Sequence, residues 1–268
     1  MDIIFHENMG GLFSVFNKLM TFLYYNETPI SSIRWQVNGR HMMTYHVDEL
    51  FSHLFKQYNN PQYPRPSCTV HIGHYTSATF TGVDIHHMYK RTDNEWKTKM
   101  HDLFKKHVVY TEQFDNMLAA ENACLQNYIS SLGFSPTHIV SILFRNHKLF
   151  VEQPMKRMPN YEEYMAEISK FDLDKTVFII SADNEADLAW CKSQVKYSFN
   201  QANIRRSKTA HDEEIHTHSG TVHDAYMSYA DVYLLSKGTD FIHPISNMAT
   251  AVYFMNPDIQ CIYLWRHV

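Results

Sequence analysis

The stretch HIVSILFRNHKLFVEQ, residues 138–153, decides how the chain folds. Its apolar run is rich in β-branched residues, as in the buried strands of parallel sheets. The run stops at Arg145, and Lys148 and a single acid, Glu152, follow it. This abrupt change predicts a buried strand whose carboxyl end carries a polar site.

Strands and helices alternate on both sides of this stretch. The chain opens with a strand (2–6), a glycine turn (7–11) and a helix (12–25). From residue 137 onward the predicted elements are strand 137–145, helix 160–171, strand 175–183, helix 185–195, helix 225–237, strand 240–244, helix 247–255 and strand 261–265. Such alternation predicts an α/β protein with parallel sheets and helices on both sheet faces. We expect two Rossmann-like domains facing a cleft, at 1–135 and 136–268.

Composition narrows the class of protein. The chain has 268 residues, 44% of them hydrophobic and 19% charged, which favours a packed core over disorder. A net charge of −4 argues against a nucleic-acid-binding protein. No run approaches the roughly 20 apolar residues that span a bilayer, and the first residues lack the basic start of a signal peptide.

The cysteines are widely spaced, at Cys68, Cys124, Cys191 and Cys261. They are typical of reduced thiols, so we expect a cytoplasmic protein.

Polar residues follow each predicted strand, and ligands of open α/β sheets bind outside the carboxyl ends of the strands. These residues are Asn8, Gly10 and Gly11 in the first half, and Arg145, Asn146, His147, Lys148, Ser181, Asp183, Asn184, His243, Ser246 and Asn247 in the second. The set suits a nucleotide that carries a diphosphate.

Each residue type has a role in that chemistry. Arg145 supplies a bidentate fork and Lys148 a point charge for phosphate oxygens. Ser246 and Asn247 precede a helix, whose N-terminal N–H groups bind anions. The carboxylate of Asp183 accepts hydrogen bonds from a ribose hydroxyl or a base edge. No GxxxxGK[ST] or GxGxxG motif supports an NTPase or a dinucleotide oxidoreductase.

The same residues also fit purely structural roles that involve no ligand. Asp183 and Ser246 are also ordinary helix N-caps. Arg145 and Lys148 also fit a solvated loop pair, the glycines at 10 and 11 a simple turn, and Glu152 a surface acid.

A histidine-rich segment offers a rival metal site. It contains His211, His216, His218 and His223, and a His-x-His pair can ligate zinc. No cysteine or carboxylate completes a familiar spacing, so we expect no metal. His223 is expected to line the donor pocket or to cap the helix it precedes.

The ordered series of motifs in residues 138–256 resembles the core α-1,6-fucosyltransferases and the bacterial nodulation fucosyltransferases. In that family a strand ends in an "RRTDK"-like motif, followed by a glutamate and an "EEYM"-like helix start. Here Arg145, Lys148 and Glu152 keep that spacing, and YEEYM (161–165) follows. VFIISADNEADL (177–188) resembles the family's "ATDD" segment, and residues 230–255 resemble its "LDIHFLSQADFLV…FSS" segment.

The resemblance implies an inverting, metal-independent glycosyltransferase of GT-B architecture. Arg145 and Lys148 would bind the donor diphosphate, Asp183 the nucleoside, and Ser246 and Asn247 the phosphates. Glu152 would be the general base that deprotonates the acceptor hydroxyl. The acceptor side of the cleft would hold Asn8, Gly10, Gly11 and Asn17, and the acceptor would be an oligosaccharide or a glycoprotein.

Two departures from the family leave the donor open. Phe144 replaces the first arginine of the motif, and His147 replaces its aspartate. GDP-fucose and a UDP-sugar such as UDP-xylose are therefore both expected donors. Two other functions remain: an inactive nucleotide-sugar-binding protein, and a nucleotide-sugar hydrolase or epimerase of GT-B shape. The expected setting is the cytoplasm of a bacterium or of a virus-infected cell.

Overall fold

The computed structural model describes residues 2–6, 12–26, 32–36, 69–72, 94–145, 159–204, 206, 222–244 and 246–264. The strands in these ranges are β1 (Asp2–His6), β2 (Ser32–Gln36), β3 (Thr69–Ile72), β4 (His138–Phe144), β5 (Thr176–Ala182), β6 (Ser198–Phe199), β7 (Asp240–His243) and β8 (Gln260–Tyr263). The helices are α1 (Leu12–Asn26), α2 (Asn94–His107), α3 (Glu112–Ser131), α4 (Tyr161–Ile168), α5 (Glu185–Ser193), α6 (Val222–Leu235) and α7 (Asn247–Met255).

The chain divides into two compact units. Unit 1 comprises Met1–Met117 and His216–Tyr226, and unit 2 comprises Leu118–Ile215 and Met227–Val268. The sequence placed the division after residue 135, and its assignment of an acceptor-side and a donor-binding domain stays a prediction.

Unit 1 contains a parallel sheet of order β2-β1-β3. Helix α1 buries Phe13, Phe16 and Met20 because these positions repeat at helical spacing along one face. Helix α2 contributes buried apolar residues of its own, and the rings of Phe16 and Phe104 meet edge to face at 6.1 Å.

Unit 2 contains a five-stranded sheet of order β6-β5-β4-β7-β8, and every described pair in it is parallel. Strand β4 lies in the middle, where Ile142 pairs with Ile180 of β5 and Ile242 of β7. The predicted α/β class with parallel sheets is confirmed. The two-residue strand β6 was not predicted, since nothing so short has a periodicity.

Helices cover both faces of this second sheet. On one face, Val140, Ile142 and Phe144 join a core with side chains of α4 and α5. On the other face, Ser141 donates a 2.6 Å hydrogen bond to the carbonyl of Leu235 in α6. Both faces are buried, which explains why β4 and β5 are almost continuously apolar.

No helix in the described part of the chain is long and apolar enough to cross a bilayer.

Gly238, between α6 and β7, leaves no room for a side chain. An added Cβ would lie 2.4 Å from Oγ of Ser141 and 3.0 Å from the carbonyl oxygens of Ile139 and Asp240. We expect Gly238→Ala to lower the free energy of unfolding by about 1–3 kcal/mol, because backbone atoms must move. Urea unfolding followed by circular dichroism measures this loss.

Gly133→Ala is the matched control. Gly133 has a φ of 74° and open space around its Cβ position, so only backbone strain of about 1 kcal/mol is expected. A smaller loss for Gly238→Ala than for Gly133→Ala would contradict the close packing of Gly238 against β4.

Candidate functional site

Arg145 joins the ends of three strands in unit 2. It directly follows β4, and its Nε donates a 2.8 Å hydrogen bond to the carboxylate of Asp183, which follows β5. Its Nη1 donates to the hydroxyl of Ser246, which follows β7, at 3.2 Å. Three residues predicted at the donor are therefore in contact at one edge of the sheet.

This edge contains the point where the strand order reverses. From β4 the chain continues outward to β5 and β6, and it then returns to the opposite side of β4 to form β7 and β8. The reversal lies between β4 and β7, so Arg145 and Ser246 flank it. Open parallel sheets bind their ligands at this position, outside the carboxyl ends of the strands.

Ser246 is the N-cap of α7, which confirms its interpretation as a helix cap. Its side chain accepts a 3.2 Å hydrogen bond from the backbone N–H of Met248. The same oxygen accepts from Arg145, so capping does not exclude a place in the site. Asn247 is the first residue of α7 and is partly exposed. The N-terminal turn of a helix carries partial positive charge, which favours an anion here.

The alternative that Asp183 is only a helix cap is wrong. Asn184 caps α5 instead, and its side chain accepts a 2.8 Å hydrogen bond from the N–H of Asp187. The carboxylate of Asp183 thus stays at the sheet edge with Arg145. The side chains of Arg145 and Asp183 are 20% and 34% exposed, so the pair is sheltered but reachable from solvent.

Two buried rings hold the backbone around this cluster. The hydroxyl of Tyr164 donates to the carbonyl of Leu143 at 3.0 Å and accepts from the N–H of Arg145 at 3.3 Å. His243, the last residue of β7, lies 2.8 Å from the carbonyl of Pro244 through Nδ1 and 2.5 Å from the hydroxyl of Tyr253 through Nε2. Burial lowers the pKa of His243 to about 4, so its ring is neutral at pH 7.

Asp231 of α6 is a buried acid beneath the site, and the sequence analysis missed it. It accepts a hydrogen bond from the hydroxyl of Ser181 in β5. Burial is the main cause that raises the pKa of Asp231 to about 6. The hydrogen bond from Ser181 and the charge of Arg206 lower this pKa, and the charges of Asp183 and Glu121 raise it. A lone acid in the apolar segment AYMSYADVYLL (225–235) was the available signal.

Several predicted site residues lie elsewhere. Lys148, Glu152, Asn8, Gly10 and Gly11 fall outside the described residues, so their roles stay predictions.

Asn17 and His223 belong to unit 1. Asn17 is buried in α1, and His223 is exposed as the second residue of α6. His223 therefore does not precede that helix, and the expectation that it caps the helix is wrong. The remaining histidines of the rival metal site, His211, His216 and His218, lie outside the described residues. Within the described ranges no three His, Cys, Asp or Glu side chains form a metal-binding group.

Asp231 makes stability depend on pH in a defined direction. Its folded-state pKa of about 6 exceeds the value near 3.9 of an unfolded chain, so folded protein binds this proton more tightly. The protonated carboxyl of Asp231 adds to the free energy of unfolding below about pH 4, and this contribution is lost as the pH rises to about 6. The free energy of unfolding of Asp231→Asn, measured relative to that of the wild type, should therefore rise by about 2 kcal/mol between pH 4.5 and pH 7.5. Urea unfolding at both pH values measures this gain.

Asp258→Asn makes the same chemical change at an exposed position. The difference in free energy of unfolding between this variant and the wild type should stay constant over that pH interval. A constant difference for Asp231→Asn as well would show that the buried carboxyl keeps an ordinary affinity for its proton.

Comparison with known proteins gives structural matches alone. No protein-family model matches the chain, and no curated protein sequence does. The crystal structure of NodZ α-1,6-fucosyltransferase soaked with GDP-fucose is similar, with a TM-score of 0.51 and 12% identity over 95% of this chain and 92% of that one. Selenomethionine fucosyltransferase NodZ from Bradyrhizobium gives a TM-score of 0.52 at the same identity and coverage. The chain thus shares the mixed α/β fold of these fucosyltransferases, as its motifs had predicted.

Proposed function

We propose that the protein is a glycosyltransferase that moves a sugar from a nucleotide-sugar donor to a hydroxyl of a glycan. The observation that carries the proposal is the cluster of Arg145, Asp183 and Ser246 at the strand-order reversal. The mechanism we infer is inverting and metal-independent, in a GT-B architecture with the donor on unit 2.

The donor diphosphate suits the side of the cluster next to α7. A phosphate there meets the guanidinium of Arg145 and the N-terminal turn of α7. The bonds to Asp183 and Ser246 fix the orientation of the guanidinium before any ligand arrives. A cation held in place stabilises the charge that develops on the leaving diphosphate without reorganising during the reaction.

The nucleoside suits the side next to β5. A ribose offers hydroxyl donors, and the partly exposed carboxylate of Asp183 is an acceptor for them. Asp183 therefore combines two tasks, since it orients Arg145 and can hold the sugar that links base and diphosphate.

The chemical step needs a base on the face of the sugar opposite the leaving nucleotide. We assign it to Glu152, with Lys148 as a second cation for the diphosphate and Asn8, Gly10, Gly11 and Asn17 on the acceptor side. These assignments rest on the motif spacing of the sequence.

The donor we favour is GDP-fucose, with a UDP-sugar as the alternative. Support comes from NodZ, whose similar crystals were soaked with GDP-fucose or grown with GDP. The acceptor is proposed to be an oligosaccharide or a glycoprotein, and the cytoplasmic location stays a prediction.

Binding of the free nucleotide tests the donor site. We expect GDP to raise the melting temperature with or without EDTA, because a ligand of the folded state stabilises it. Arg145→Met should weaken GDP binding by about 10- to 100-fold, as the loss of charge-assisted hydrogen bonds predicts. Isothermal titration calorimetry measures both affinities, and UDP is titrated in parallel.

Arg145→Lys keeps the positive charge but loses the planar guanidinium fork. Its affinity for GDP should therefore lie between those of the wild type and Arg145→Met. Lys170→Met removes an exposed cation that pairs with Glu167 on α4, and it should leave the affinity unchanged. If the wild type bound neither GDP nor UDP, the proposed donor site would be wrong.

Replacement of Glu152 by Gln tests the base. The amide keeps the shape but takes no proton, so sugar transfer should fall by about 100-fold or more while GDP affinity stays unchanged. Chromatography of the products from GDP-fucose and an oligosaccharide acceptor measures transfer. Near-normal turnover in Glu152→Gln would contradict the assignment.

The same product analysis separates the remaining functions. A hydrolase would release free sugar and nucleotide without an acceptor, and an inactive binding protein would return the donor unchanged.

A further inference from the structure

His243, the last residue of β7, turns its side chain away from the ligand edge of the sheet. Its neighbour Ile242 joins the core with α4 and α5, so the ring of His243 lies on the opposite face, against α7. His243 is 2% exposed, and its ring stacks on that of Phe241 with centroids 4.4 Å apart. The ring therefore does not contact a ligand, although its place in the sequence predicted a position at the ligand edge.

The hydrogen bonds of this ring allow a single tautomer. Nδ1 lies 2.8 Å from the carbonyl oxygen of Pro244, which only accepts hydrogen bonds, so Nδ1 carries the proton. Nε2 is then the acceptor, and the hydroxyl of Tyr253 in α7 donates to it at 2.5 Å. The thiol of Cys261 lies farther from the same nitrogen, at 3.5 Å. One neutral ring thus joins the turn after β7 to the body of α7.

The two contacts hold α7 at two points. Pro244 belongs to the turn that leads from β7 to Ser246, the N-cap of α7. Tyr253 lies seven residues beyond that cap, which is about two turns along the helix. His243 therefore fixes both the approach to the helix and a point on its axis.

The remaining buried surface of α7 gives its axial position little definition. The buried hydroxyl of Thr250 bonds within the helix, to the carbonyl of Ser246 at 3.4 Å. Apolar packing tolerates a small slide or rotation of a helix, whereas a hydrogen bond has a preferred length and direction. The buried apolar residues of α7 are Ala249, Ala251, Val252 and Phe254.

The opposite end of α7 has a separate anchor. The side chain of Asn256, the C-cap, donates to the carbonyls of Ser236 at 2.8 Å and of Gly238 at 3.3 Å. That end lies about 13 Å from the first turn, at the amino edge of the sheet. The bond between Tyr253 and His243 acts closer to the ligand edge.

The first turn of α7 meets the charged cluster through one oxygen atom. Oγ of Ser246 accepts from the N–H of Met248 and from Nη1 of Arg145, both at 3.2 Å. A slide of α7 by about 1 Å would take Ser246 out of hydrogen-bond range of Arg145 and move the N–H groups of the turn away from a phosphate. The geometry of the anion site therefore depends on where α7 is held.

We propose that His243 is a positioning residue that acts through Tyr253 to hold Ser246 and the first turn of α7 in place for the donor diphosphate. This inference rests on the proposed function, because it assumes a diphosphate between Arg145 and α7. His243 makes no contact with the ligand, and it fixes the N–H groups and the hydroxyl that do.

Binding of inorganic pyrophosphate tests the phosphate side of the site alone. Isothermal titration calorimetry compares pyrophosphate and GDP on the wild type, on Tyr253→Phe and on His243→Leu. Tyr253→Phe removes a single hydroxyl, so we expect both ligands to bind about 5-fold more weakly. His243→Leu also loses the bond to Pro244, and both affinities should fall by about 20-fold.

A double variant tests whether the two residues act as one. His243→Leu combined with Tyr253→Phe should bind pyrophosphate no more weakly than His243→Leu alone, because the hydroxyl has already lost its acceptor. Tyr128→Phe is the matched control, since it removes a hydroxyl that bonds the backbone of Ser198 at the other edge of the sheet. It should leave both affinities unchanged. Thermal unfolding reports whether each variant folds, and if His243→Leu does not fold, Tyr253→Phe decides alone.

Failure of this inference differs from failure of the proposed function. The positioning role of His243 is overturned, and the donor site stands, if Tyr253→Phe binds pyrophosphate as tightly as the wild type or if the two single losses add in the double variant. It is also overturned if the wild type binds GDP but not pyrophosphate, since no phosphate site then lies at α7. If the wild type binds neither a nucleoside diphosphate nor pyrophosphate, the proposed function itself is wrong.

Discussion

The pairing of β4 with β5 on one side and with β7 on the other is the constraint on which unit 2 depends. It brings residues that are distant in sequence to one edge, so that Arg145 reaches both Asp183 and Ser246. A shift of one residue in either pairing would move the Ser141 hydroxyl from the carbonyl of Leu235 into the apolar core on the other face of the sheet. This difference between the two faces fixes the register, and the register fixes the geometry of the charged cluster.

Polar groups within the sheet give α6 a defined position. Ser141 and Ser181 point to the same face, and each donates a hydrogen bond to α6, at the carbonyl of Leu235 and at Asp231. Apolar packing tolerates small shifts of a helix on a sheet, whereas hydrogen bonds to two points along it do not. The carboxyl of Asp231 is thereby held under the strand end that carries Asp183.

Much of this arrangement could be predicted from local sequence. The apolar runs of β4 and β5 and the alternation with helices gave the parallel α/β class, and the polar residues after the strands gave Arg145, Asp183 and Ser246. Local sequence does not show which side chains a residue contacts after folding. That Asp183 pairs with Arg145 while Asn184 caps α5 depends on strands that are brought together by folding.

The aromatic surroundings of Phe144 determine which side chains the last position of β4 can hold. The ring is fully buried, with centroids 4.2 Å from Tyr164, 5.4 Å from Tyr161 and 5.4 Å from Trp190. An arginine at this position would place its charge among these rings, out of contact with water. The cost of burying that charge restricts the position to apolar side chains, so any further cation for a ligand has to stand elsewhere on the sheet edge.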